Sequence, residues 1–244
     1  MNVNVSIVCD DMLMVDFGSH PQANLRVRAL WALLQDSPMM PGVSPVAGMN
    51  CLAFMLDPEL MESMDLDALA LEIEGLAESS LNKSPLDGKT LEIPVCYDAQ
   101  FAPDLDRVAE HCGLTPKEVI RLHTSGRFTA QLIGFLPGFA YMGGLDAALN
   151  VPRLESPRPK VPAGALGITG TQCAIYPTAS PGGWNLMGRT PVVLFDPAQA
   201  QQPAMLAAGD EVQWTRVDRT NHDRLAADIA RGLPREAFLK APTA

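Results

Sequence analysis

Residues 3–97 are built from short apolar blocks whose period switches between two and about three and a half, the mark of strands alternating with amphipathic helices. VNVSIVC (3–9) and MLMVDF (12–17) read as two strands joined by the turn Asp10-Asp11. A helix is expected over 21–35. Pro21 suits its first turn, and Leu25, Val27, Leu30, Trp31, Leu33 and Leu34 form a broad apolar face that Pro38, Pro41 and Gly42 bring to an end. Strands at 43–47 and 51–56 flank the turn Gly48-Met49-Asn50, and Asp57-Pro58 then breaks the chain. Asp65 opens a second helix that runs to Ser79, with Leu66, Leu69, Ala70, Ile73 and Leu76 on one side. A strand over 90–97 follows. This order implies a small α+β domain with helices on one face of an antiparallel sheet.

The polar, Pro- and Gly-containing segment 79–89 is the expected boundary. Beyond the next strand come two short helices. One spans 103–112 and stops at Gly113; the other spans 116–123, with Thr115 as N-cap and Glu118 at the capping-box position. From Arg127 the pattern changes to short strands, expected at 128–135, 164–168, 172–176, 183–187, 192–195 and 211–215. Many short strands between Gly/Pro turns indicate a barrel or sandwich. An amphipathic helix over 221–231 packs back on the body, and the end PREAFLKAPTA reads as loose.

Composition narrows the function classes. The 244 residues are 47% apolar and 19% charged, a globular balance with room for one large or two small cores. A net charge of −10 and a pI near 4.8 argue against nucleic-acid binding, which needs clustered cations. The longest apolar runs are too short to cross a bilayer, and the N-terminus has no basic flank before an apolar segment, so neither a membrane span nor a signal peptide is expected. Five cysteines, an odd count without a CxxC pair or a His at metal-ligand spacing, imply buried thiols in a reducing cytoplasm rather than disulfides or a metal site. Twelve methionines, eight of them within residues 12–64, fill a core or supply an adaptable interface.

Candidate chemistry gathers in residues 134–191, where Gly and Pro punctuate apolar pieces such as Ala165–Ile168 and Cys173–Tyr176. A flexible linker lacks such interleaved apolar residues, so tight turns between strands are the better reading. Arg153, Arg158, Lys160, Gln172, Tyr176, Trp184, Asn185 and Arg189 offer anion- or amide-binding groups. Arg189, fixed between Gly188 and Thr190-Pro191, is the first choice. The four cations serve equally well as surface ion pairs, and Trp184 as core. His123, at a helix end, is a candidate acid–base group or a partner of the helix dipole. Pro137-Gly138-Phe139 and Pro181-Gly182-Gly183 are expected to shape loops near a pocket. No G-x-S-x-G, Walker A or G-x-G-x-x-G pattern occurs.

GFLPGFAYMGGL, PRLESPRPKVPAGALGITGTQCAIYP and SPGGWNLMGRTPVVLFDP, in that order, resemble the signature of one bacterial family. It comprises the B-type component of ATP-dependent 5-oxoprolinase, the KipI-type sporulation kinase inhibitor and the first subunit of allophanate hydrolase-like proteins. The likeness extends from MLMVDFG and NLRVRAL to AGDEVQW. It implies a ferredoxin-like α+β domain over 1–88 and a mainly-β, cyclophilin-like barrel domain over 89–244 with a C-terminal helix. It also implies a C-type cyclophilin-like partner and an A-type partner, which together open 5-oxo-L-proline to glutamate with ATP and its accompanying Mg at the level of the complex. Within that family the alternatives are an inhibitor that binds a sensor histidine kinase and an accessory subunit of allophanate or urea hydrolysis. In the enzyme reading His123 and Arg189 take catalytic roles. Arg153, Arg158, Lys160, Gln172, Tyr176, Trp184 and Asn185 then bind substrate, because activating a lactam oxygen needs donors around developing negative charge.

Overall fold

A computed structural model describes residues 4–36, 41–80 and 88–240 of the chain, which divides into two compact units, residues 1–87 and 88–244. The expected boundary at 79–89 falls largely on 81–87, outside the described residues, as does Pro38.

In the first unit β1 (Asn4–Cys9) and β2 (Met12–Asp16) form a hairpin, followed by α1 (Ala23–Asp36), β3 (Val43–Ala47), β4 (Cys51–Leu56), a short α2 (Pro58–Met61) and α3 (Leu66–Ser80). The sheet order is β1-β2-β4-β3, antiparallel throughout. Period-two alternation decides what is buried: Leu13, Val15, Leu52 and Phe54 face a core completed by Val27 and Leu30 of α1 and Leu69 and Ile73 of α3. Asp57-Pro58 begins α2 rather than simply breaking the chain, because the Asp57 side chain accepts the Glu59 N–H and proline fits the first turn.

The second unit opens with β5 (Thr90–Cys96), α4 (Leu105–Cys112) and α5 (Pro116–Ser125). Thr115 and Glu118 close a capping box on α5, and Gly113 ends α4 in the left-handed region at φ 66°. There follow β6 (Phe128–Ile133), β7 (Ala140–Gly143), β8 (Arg158–Val161), β9 (Ala165–Thr169), β10 (Gln172–Ile175), β11 (Ser180–Gly182), β12 (Asn185–Arg189), β13 (Glu211–Val217) and α6 (Arg219–Ala230). Seven strands close into a barrel in the order β10-β7-β6-β13-β5-β12-β9, while β8 and β11 pair separately. Closure removes the exposed edges that an open sheet of this length would carry. The one parallel pairing in the barrel, β5 with β13, is pinned at its start by Asp210. Its buried carboxylate accepts the Lys89 and Ala207 N–H groups at 3.0 and 2.9 Å.

Four expectations are corrected. The strand expected at 192–195 is irregular chain, held by the single bridge Phe195–Ala204 and the bond from Met205 N–H to the Leu194 carbonyl, because Pro191 has no N–H to extend a ladder. The strand placed at 183–187 runs at 185–189, and β7, β8 and β11 are strands that the pattern does not predict. The tail is anchored up to Lys240: residues 235–238 form a 3-10 turn that buries Phe238, Leu239 bridges Leu91, and the Lys240 N–H bonds the Thr90 carbonyl. Only Cys96 and Cys173 are buried, whereas Cys9 is exposed and Cys51 and Cys112 are half-buried, all five as thiols. Among the described residues no helix is long and apolar enough to cross a membrane.

Candidate functional site

A cleft of about 530 Å³ opens in the barrel unit where the end of β12 meets the start of α6. Its walls come from the turn after β5 (Gln100, Phe101), the β8–β9 turn (Ala163, Gly164), residues 189–193, and one face of α6 (Arg219, His222, Asp223, Ala226). Asp218 caps α6 by accepting the Asn221 N–H at 2.8 Å, which sets Arg219, His222 and Asp223 on adjoining turns facing Phe101.

The chemistry of this cleft is cationic and aromatic. The guanidinium carbons of Arg219 and Arg189 stand 4.6 and 5.5 Å from the centre of the Phe101 ring, within cation–π range. Arg219 Nε bonds both oxygens of Asp223, at 2.8 and 2.9 Å, and its Nη1 reaches Gln100. Arg189 donates Nε to the Ala163 carbonyl at 3.0 Å, and its Nη atoms have no acceptor among the described residues. His222 is 6% exposed, packs against Phe101 with ring centres 4.7 Å apart and planes tilted by 45°, and shares a hydrogen bond with Asp223 at 3.1 Å through Nδ1. Its Nε2 is buried and unpartnered. The hydrogen bond from His222, and next the one from Arg219, holds the Asp223 carboxyl below its usual pKa, so it is ionised at neutral pH. An ionised carboxylate on Nδ1 favours the tautomer in which Nε2 is an acceptor. The arrangement suits a small anion: free guanidinium N–H groups for its charge, a phenyl wall for its ring, and an oriented imidazole behind.

Of the nine side chains singled out from the sequence, the structure brings only Arg189 to this cleft. Arg158 is an internal strut: its Nη2 pairs with Asp104 at 2.7 Å, and Asp104 also accepts the Leu186 N–H at 2.6 Å. Asn185 is fully buried, donating to the carbonyls of Pro152 and Ile168 and accepting from Arg107. Tyr176 and Trp184 pack with Phe139, Val161, Ala165, Ala174 and Leu186 in a small core of their own. Gln172 lies half-buried at the start of β10, and Arg153 and Lys160 are exposed. His123 is 0% exposed, shares a hydrogen bond with the Tyr97 hydroxyl at 2.9 Å through Nδ1, and stacks on Trp214. Desolvation takes its pKa down to about 3, so it is a neutral core histidine with no open side.

These nine side chains do not share one cleft. The glycines beside these residues serve packing: Gly138 adopts φ 78° against Phe195, and a Cβ on Gly182 would stand 2.3 Å from the Tyr176 hydroxyl. Phe101, Arg219, His222 and Asp223 carry no sequence signal of a site because they lie outside the Gly/Pro-rich stretch, and only the folding of α6 onto the β5 turn brings them together.

A closed seven-stranded barrel packed with helices defines a cyclophilin-like barrel protein. The chain belongs to the family described as carboxyltransferase domain, subdomain C and D, which matches residues 3–206 and so ends before α6. It is 34% identical to the B-type component of 5-oxoprolinase from Bacillus subtilis (strain 168) over 87% of this chain and 92% of that protein. With the corresponding 5-oxoprolinase component of Escherichia coli O157:H7 the identity is 42%, over 77% of this chain and 84% of that one. Among solved structures, TTHA0988 superposes with a TM-score of 0.72 at 33% identity over 85% of this chain, which spans only 40% of that longer polypeptide.

Proposed function

We propose that this chain is the B-type component of an ATP-dependent 5-oxoprolinase, a ferredoxin-like domain over residues 1–88 joined to a cyclophilin-like barrel domain over 89–244. It acts in the cytoplasm with A-type and C-type partners to open 5-oxo-L-proline to L-glutamate. One observation carries the reading: proteins bearing that name align with it at 34–42% identity over 84–92% of their length.

The cleft supports it chemically. 5-Oxoproline is a flat five-membered ring with one carboxylate. In this reading the Arg189 Nη atoms hold the carboxylate, the ring lies against Phe101, and the Asp223–His222 pair orients a proton acceptor at Nε2. Phosphoryl transfer from ATP to the lactam oxygen activates the carbonyl carbon toward water, so that the ring C–N bond breaks with release of the amine and phosphate departs, and that chemistry belongs to the complex. Two arginines around one phenyl ring suit a single small anion. The test is coexpression with A-type and C-type chains. Glutamate release and ATP hydrolysis that depend on 5-oxoproline are expected, and both vanish when this chain is omitted. Undiminished turnover without it overturns the proposal.

A further inference from the structure

The net charge of this protein is confined to one of its units. Residues 1–87 hold 13 of the 28 acidic side chains but only 3 of the 18 basic ones, so the whole net charge of −10 resides there, while residues 88–244 balance at 15 against 15. Among the described residues, the four-stranded sheet of that acidic unit has helices on one face only. Register and alternation assign the other face: Met14 pairs with Ala53, which pairs with Val46, and in the next row Met12 pairs with Met55. An uncovered face of an antiparallel sheet ordinarily alternates to polar residues. Here the two central strands contribute Met12, Met14, Ala53 and Met55 and one edge strand adds Val46, with Ser6 and Ser44 at the margins; Met55 is 37% and Val46 51% exposed, and none of the four strands carries Lys or Arg. Acid sits at both ends of the strip. Asp10, Asp11 and Asp57 lie at one end, where the Leu56 N–H bonds the Asp11 carbonyl, and Asp16 lies opposite Cys51 at the other.

We propose that this face docks one amphipathic helix with Lys/Arg-rich edges, supplied by a different polypeptide. The outer strands of four lie about 14 Å apart, wide enough for one helix of about 10 Å. A second apolar sheet face is covered by the same kind of layer as the first, and α1 and α3 already form that layer behind it. Methionine side chains mould to an incoming apolar stripe. The charge selects the occupant: a second copy brings another −10, and anionic lipid or nucleic acid brings more negative charge, whereas cationic flanks meet the aspartates at both ends.

The test uses the full chain carrying 13C-methyl methionine and a synthetic peptide of about 18 residues with a leucine stripe edged by Lys and Arg. The methyl signals of Met12, Met14 and Met55 are expected to move on titration, while those of Met142 and Met187, buried in the barrel, stay in place. Met14→Arg, and separately Val46→Lys on the exposed edge strand, are expected to weaken binding about tenfold with the melting temperature held. Equal affinity for a scrambled peptide of the same composition, or for one edged with Glu, overturns the proposal. So do shifts confined to other methionines, binding to anionic vesicles in preference to the peptide, and a peptide-free dimer that Met14→Arg dissociates.

Discussion

Acidifying the protein from pH 7 to pH 5 draws on the neutral state of His123. Between α5 and the barrel strands the imidazole has no exposure and desolvation takes its pKa to about 3, whereas the unfolded chain titrates it near 6.5. The unfolded state therefore binds a proton that the native state refuses. The favourable contribution is present in full above the unfolded pKa and is lost as pH falls below it, at about 1.4 kcal/mol per pH unit until the native pKa is reached. Between pH 7 and pH 5 the loss is about 2 kcal/mol, a large share of ordinary domain stability. His123→Phe retains a ring to stack on Trp214 but cannot titrate. It leaves the Tyr97 hydroxyl without its partner, a fixed cost of about 1–3 kcal/mol that is the same at every pH. Urea unfolding followed by tryptophan fluorescence at pH 7, 6 and 5 supplies both curves. The difference between wild type and variant is expected to shrink by about 2 kcal/mol over that range. Parallel curves would refute the claim that His123 is held neutral in the core and would reopen its role as an acid–base group.

Three further outcomes follow from the same contacts. Arg158→Ala strands the Asp104 carboxylate, 8% exposed, and is expected to cost about 2–3 kcal/mol, a figure below the usual buried-pair loss because the arginine keeps 29% exposure. Calorimetry should find the barrel melting lower by about 5–10 °C, and an unchanged transition would return Arg158 to the surface. Gly182→Ala forces a methyl onto the Tyr176 hydroxyl, whose ring is 1% exposed and has no room to retreat, and is expected to destabilise by about 1–3 kcal/mol in the same assay. In the reconstituted complex, Arg189→Lys is expected to raise the KM for 5-oxoproline about tenfold with melting unchanged, since an ammonium cannot replace the two-pronged guanidinium; an unaltered KM would remove Arg189 from the site.

The local pattern carried most of the elements. Leu13, Val15, Leu52 and Phe54 announce their strands by alternation, and Thr115 and Glu118 announce the start of α5 by a cap that needs only neighbouring residues. Such signals are legible because period and capping depend on a few consecutive side chains. The strands β7, β8 and β11, three or four residues each, are too short to show a period at all. A side chain's partner across the fold is equally hidden. Arg158 looks the same in sequence whether it waits for a ligand or props Asp104, 54 positions away, and Asn185 gives no hint that Pro152 and Ile168 already hold it.

The sequence by itself determined that two kinds of architecture follow one another, that the second is knit from short strands, and which family signature those strands bear. Tertiary structure decided which polar side chains stay open. Folding buried Asn185, Tyr176, Trp184 and His123, where unmet polar groups are costly, tied the half-buried Arg158 to Asp104, and left Arg189 open. It also laid α6 beside Phe101, so that Arg219, His222 and Asp223, over a hundred positions along the chain, line a cleft that no stretch of sequence contains.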